Sequence, residues 1–117
     1  MKNDRELFVW QKAHRLVLDT YAATRTWPSD ERYGLTSQSR RSAASIPTNL
    51  AEECGRNGDA ELARFCDISS GSASELDYQL LLAHDLGYLS DEIYSKLENQ
   101  LREVRRMLSG LITTLRK

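Results

Sequence analysis

Apolar residues recur at three- and four-residue steps along four stretches of this chain, and the breaks fall at proline, glycine and clusters of polar residues. The first stretch runs from about Leu7 to Thr26. Val9, Trp10, Ala13, Leu16, Val17 and Tyr21 share one face of the helix it predicts. That helix must stop before Trp27-Pro28, because a residue preceding proline is pushed out of the α region. A short polar connection, Ser-Asp-Glu-Arg-Tyr at 29–33, follows, with Ser29 placed to cap a single turn.

The second stretch, Leu35 to Gly58, departs from simple patterning. Thr36 is the expected N-cap, Ser37 to Glu53 holds good or neutral helix formers, and Gly55 with Gly58 supplies the stop. Pro47 interrupts it. Proline has no N–H for the carbonyl of Ala43 and disfavours the α region at Ile46, so the helix kinks there or restarts with Pro47 in its first turn. The kink is the reading adopted. Ser42, Ala43, Ala44 and Ser45, all small, would let another helix come close, and Arg40 and Arg41 stand just before them.

Asp59, with Glu61 in the first turn, is the expected cap of a third helix reaching Leu86. Its buried stripe is predicted as Leu62, Phe65, Cys66, Ser69, Ser72, Ala73, Leu76, Leu80 and Ala83. The middle, Ser69 to Ser74, has poor helix propensity, and close packing on the small residues of the second helix is the expected compensation. Gly87 closes this helix and Ser90 opens the fourth, with Asp91 and Glu92 at the positive end of its dipole. Ile93, Leu97, Leu101, Val104, Leu108, Leu111 and Leu115 form a coiled-coil-like seam. Arg102, Arg105, Arg106, Arg116 and Lys117 crowd its C-terminal half.

Four helices, short turns and no strand pattern predict an all-α fold: an antiparallel up-down-up-down four-helix bundle, its second helix kinked at Pro47, occupying 1–117 as a single domain. One face is left over. Tyr78, Leu81 and Leu82 point away from the stripe of Leu76, Leu80 and Ala83, so the third helix is apolar on more sides than three neighbours can cover. The expected cover is another subunit, with Tyr78, Leu81 and Leu82 as the oligomer interface.

Charge narrows the functional classes. The 117 residues carry a formal net charge of −1 and are 40% hydrophobic and 28% charged, so phosphate-backbone binding would have to be local. No apolar run resembles a signal peptide or approaches the roughly 20 residues that span a bilayer, which makes the cytoplasm the expected compartment and excludes a membrane partner. In a reducing compartment Cys54 and Cys66 are expected as two thiols. His14 and His84 are the only histidines, and neither lies three residues after a glutamate as in di-iron bundles. No phosphate-cradling glycine loop follows a strand, and no nucleophile elbow is present. The Gly-x-x-Gly at 55–58 lacks the strands that a nucleic-acid-clamping domain would place around it. The expectation is no enzyme, no catalytic residue, no metal and no cofactor. Trp10 and Trp27 are read as core or loop anchors.

The second stretch also carries a resemblance. Gly34, Leu35, Gln38, Arg40, Arg41, Ser45, Ile46, Pro47, Asn49, Ala51, Glu52, Gly55 and Arg56 are similar, in order, to the motif of bacterial four helix bundle proteins, also called 23S ribosomal RNA intervening-sequence proteins. Val9 to Ala13 resembles that family's opening, and Arg64-Phe65, Gly71-Ser72 and Glu75-Leu76 its third-helix signature. Ser42, Leu50 and Glu53 depart from the pattern. The resemblance implies a bundle that forms homo-oligomers, pentameric rings in particular. It extends to the accessory protein of diversity-generating retroelements, a strongly basic relative that associates with a reverse transcriptase and nucleic acid.

Two functions follow as expectations. The first is a homo-oligomeric scaffold that docks a protein partner. The alternative is weak, sequence-independent RNA or DNA binding through a local basic patch formed by Arg40, Arg41 and Arg56 with Arg102, Arg105 and Arg106. Adjacent residues lie about 100° apart on a helix, so at most one of Arg40 and Arg41 points fully inward, and Glu75 or Asp77 is the expected carboxylate partner if they are structural.

Overall fold

The computed structural model describes residues 4–52 and 58–117. Helices α1 (Asp4–Thr24), α2 (Leu35–Glu52), α3 (Asp59–Asp85) and α4 (Asp91–Leu115) are accompanied by one 3-10 turn, Ser29–Glu31, and no strand occurs among the described residues. α2 and α4 each pack against both α1 and α3. The enclosed core joins Val9, Ala13 and Leu16 of α1 to Ile46 and Leu50 of α2, Leu76 and Leu80 of α3, and Leu97, Leu101 and Leu108 of α4.

The third helix follows its predicted stripe closely: eight of the nine named positions are buried, Phe65 is half-buried, and Ala63 is a further buried one. The serine-rich middle stays helical. Ser69 Oγ donates to the carbonyl of Ile46 at 2.9 Å, and the hydroxyls of Ser45 and Ser72 lie 2.7 Å apart, so α2 and α3 meet through groups that only short side chains bring together. Asn49 Nδ2 donates to the carbonyl (2.8 Å) and the hydroxyl (3.0 Å) of Ser45 one turn away. This network surrounds Pro47, which lies buried inside α2; the helix continues through it rather than restarting.

Caps differ from expectation at two starts. α2 begins at Leu35, ahead of Thr36, because Glu31 supplies the acceptor: its Oε1 takes the N–H of Leu35 at 3.1 Å. Gly34 leaves that space open, since a Cβ there would sit 2.9 Å from the same oxygen. α3 is preceded by Gly58, at φ 93°, with no side-chain cap; Asp59 is already helical and acts with Glu61 as a first-turn acid. The residues between, including Gly55, lie outside the described chain. Ser29 likewise caps nothing and opens the 3-10 turn behind Pro28.

The other end of α3 behaves as predicted. Gly87 has φ 83°, its N–H bonds the carbonyl of His84, and the N–H of Tyr88 reaches the carbonyl of Ala83 at 2.8 Å. Ser90 Oγ then accepts the N–H of Ile93 at 3.2 Å to start α4. Along the α4 seam Leu97 to Leu111 are buried, Leu115 is half-buried, and Ile93 is exposed.

α1 ends two residues early. Thr24 turns its hydroxyl back onto the carbonyl of Tyr21 at 3.1 Å, and that local bond competes with another helical turn. Buried Thr20 and Thr24 take the place that the stripe assigned to Tyr21, which is exposed. Trp27 is buried against Tyr88, their ring centroids 5.9 Å apart.

Tyr88 also donates to Glu31 Oε2 at 2.9 Å, so one carboxylate caps α2 and holds the α3–α4 turn. That bond is the main reason the Tyr88 hydroxyl titrates above its ordinary value of 10.0. The associated stability is complete below that ordinary value and is lost as the pH rises through the higher folded one. Glu31→Ala is expected to destabilise the fold by about 1–2 kcal/mol in urea titration, and to bring the Tyr88 titration, followed by ultraviolet absorbance, back down. A tyrosine titration unmoved by the substitution would separate the two roles.

At the α2–α3 seam, Ser69→Ala removes one hydrogen bond, about 1 kcal/mol. Ser69→Leu adds an overpacking strain of about 1–3 kcal/mol. The leucine variant is expected to melt well below the alanine one; equal melting temperatures would mean that close approach is not what Ser69 supplies.

Candidate basic and apolar surfaces

Arginines gather in two places, and their neighbours give them different properties. Between α3 and α4 runs an open groove of about 510 Å³, lined by Arg102, Arg105 and Arg106 together with Asp77 and Glu98. Arg105 donates to Asp77 Oδ2 at 3.1 Å and to Ser74 Oγ at 3.2 Å, and Arg102 to Glu98 Oε1 at 3.3 Å. Two of the three charges are therefore matched. Nearer the C-terminus, Arg116 grips Asp67 with both terminal nitrogens, at 3.2 and 2.6 Å, and this hydrogen bonding holds the Asp67 carboxyl below its usual range. Arg105 and Arg116 are thus tied to α3 and Arg102 to α4 itself, which leaves Arg106 as the one arginine of this groove without a carboxylate partner among the described residues.

The second group lies where α1 meets α2. Arg40, half-buried, donates through Nε to Thr24 Oγ1 at 2.8 Å and through a terminal nitrogen to the carbonyl of Tyr21 at 3.4 Å. Its guanidinium stands 4.7 Å from the centre of the Tyr21 ring. A cation on the last carbonyls of a helix sits at the negative end of the dipole, so Arg40 serves α1 as a terminal cap supplied by another helix. Arg41 is exposed and, among the described residues, donates only to Ser37 Oγ, at 3.3 Å, on its own helix. Neither arginine is bonded to Glu75 or Asp77: Arg40 is turned onto α1, Arg41 onto its own helix, and Asp77 is engaged by Arg105.

Arg40 and Arg41 share an open concavity of about 400 Å³ with Arg32, Tyr21 and Tyr33. Thr36 and Ser37 add hydroxyls, and among the described residues no carboxylate lines it. Arg32 and Tyr33 escaped the sequence reading. Their connection was legible only as polar, and nothing in its spacing ties it to residues eight positions on. Arg56 lies outside the described residues, as does Cys54.

On α3, Tyr78 is 63% exposed and Leu81 42% exposed. Leu82 is different: it is half-buried and packs on the core of its own chain, so the surplus apolar face is narrower than the sequence suggests.

The remaining chemistry-bearing groups are engaged with neighbours. His84 Nε2 lies 2.6 Å from Asp91 Oδ1, with its ring stacked on Tyr94, and His14 stacks on Trp10. Cys66 is fully buried. Among the described residues no group of three or more His, Cys, Asp or Glu is placed to hold a metal. No described helix is long and apolar enough to cross a membrane.

Comparison with solved structures finds a crystal structure from Bacteroides thetaiotaomicron, a protein of unknown function from the S23 ribosomal protein family. It superposes with a TM-score of 0.83 at 21% identity, covering 93% of this chain and 98% of that one. At that identity the likeness speaks for the fold. No curated protein matches the chain. The family model described as 23S rRNA-intervening sequence protein matches residues 5–110, and the chain belongs to that family.

Proposed function

We propose that this chain is a non-enzymatic scaffold that assembles with copies of itself and docks a protein partner on the assembly. The observation that carries the reading is the pairing of Tyr78 and Leu81, large apolar side chains one turn apart and open to solvent on a helix whose opposite face is buried. A ring of five, implied by the family resemblance, is the stoichiometry adopted. The shifted titrations favour structural over catalytic roles: Asp67 and Arg116 pair with each other, and Tyr88 and Tyr94 bond Glu31 and Glu98.

The subunit in this reading is an antiparallel up-down-up-down bundle with α2 kinked at Pro47. Its support is the order of the ion pairs. Lys12–Glu103 and Asp19–Lys96 step in opposite directions along α1 and α4, as Arg116–Asp67, Arg105–Asp77 and His84–Asp91 do along α4 and α3. For the kink the support is chemical. Pro47 cannot donate to Ala43, and side-chain donors gather on the neighbouring carbonyls of Ser45 and Ile46.

A second reading, local nucleic-acid binding, is favoured by one observation: the α1–α2 concavity gathers three arginines and, among the described residues, no carboxylate.

Light scattering on the purified chain tests the scaffold. A mass several times that of one chain is expected, and Leu81→Asp or Tyr78→Glu should lower it while leaving the helical circular dichroism unchanged. A monomer at tens of micromolar overturns the reading. Pro47→Ala tests the kink separately: it should shift the melting temperature or the assembled mass, and a variant unchanged in both would mean that α2 needs no bend there.

A further inference from the structure

We propose that the concavity where α1 meets α2 binds a phosphate group attached to a flat base, the chemistry shared by single-stranded nucleic acid and a free nucleotide. This rests on the second reading above and narrows it to one site. Three guanidiniums, Arg32, Arg40 and Arg41, line the same 400 Å³ space, with no carboxylate beside them among the described residues. That concentration of charge stands out in a chain of net charge −1 whose other arginine groove is largely neutralised by its own acids. Like charges held together repel unless an anion lies between them, and planar forked guanidiniums match phosphate oxygens two at a time.

The arrangement is prepared in advance. Arg40 is fixed by Thr24, the Tyr21 carbonyl and the Tyr21 ring, so less freedom is lost when it meets a ligand. Arg32 and Arg41 are exposed and can close on the anion. Tyr33 supplies the part that a bare anion site does not need. It is 89% exposed, the most open large hydrophobic side chain described, and it stands beside the arginines with its ring free to stack on a base. An acidic peptide would satisfy the arginines but would give that ring no flat partner. The hydroxyls of Thr36 and Ser37 add donors for the remaining phosphate oxygens.

The full chain is titrated against a short fluorescent oligoadenylate strand at low and at raised salt. Three phosphate contacts on a single strand give a log–log salt slope of magnitude about 2. Arg41→Gln, Arg32→Gln and Tyr33→Ala, all exposed, should each weaken binding by about tenfold, whereas Arg106→Gln should leave it unchanged. Competition identifies the source. Adenosine monophosphate displacing the strand at a matched phosphate concentration points to a free nucleotide, and its failure to do so points to the strand.

Strand binding that survives all three substitutions overturns this site while leaving nucleic-acid binding elsewhere on the chain. Absence of any binding at low salt overturns both. Inorganic phosphate competing as well as the nucleotide removes the base contact at Tyr33. Polyglutamate competing as well as oligoadenylate assigns the arginines to an acidic protein surface instead.

Discussion

The approach of α2 to α3 is the contact on which the other helices depend. Ser45 meets Ser72 hydroxyl to hydroxyl, and Ser69 donates to the backbone carbonyl of Ile46, so the two helices touch there through hydroxymethyl side chains. Interaxial distance follows the size of the residues at the crossing, roughly 8–10 Å. It is set here by atoms that also hydrogen-bond across the gap. A serine-rich segment with poor propensity of its own remains helical because tertiary packing, rather than intrinsic preference, supplies most helix stability in a folded protein. The same closeness brings Ile46 and Leu76 into the core where all four helices contribute.

Arginine has three roles in this bundle, and the difference lies in what surrounds each side chain. On α4, Arg102, Arg105 and Arg116 meet carboxylates across or along helix surfaces. Such exposed pairs contribute little to stability, about 0–1 kcal/mol; their larger effect is to remove the positive field that the sequence would otherwise display. Arg40 closes the end of a neighbouring helix. Arg32 and Arg41 have no carboxylate partner among the described residues, and with Arg40 they gather three positive charges in one concavity of a protein that is nearly neutral as a whole.

Much of this was readable from residue order. The stripe of α3, the glycine stop at Gly87 and the serine start at Ser90 all depend on local geometry, which spacing and residue type encode directly. The angle between adjacent residues likewise anticipated that Arg40 and Arg41 would diverge, one half-buried and one exposed. What escaped was non-local or shared. Thr36 looked like a cap because its side chain suits one, yet the acceptor comes from Glu31, in the turn before the helix. Tyr21 and Ile93 fit their stripes and are nevertheless exposed, since periodicity assigns a residue to a side but not the distance to which a neighbouring helix covers it. The basic end of α4 offered an alternative patch because two of its balancing acids, Asp67 and Asp77, lie on another helix.

Glu31 has one more consequence. It touches the first N–H of α2 with one oxygen and Tyr88 with the other, across a sequence separation of 57 residues. Such a bridge closes a long loop without a covalent bond. While it holds, the α1–α2 connection and the α3–α4 turn are tied together: opening the α3–α4 turn costs Glu31 its Tyr88 partner, and disrupting the α1–α2 connection costs it both. The two halves of the chain are thereby coupled in their local unfolding, and amide protons at these distant turns should exchange as one cooperative unit.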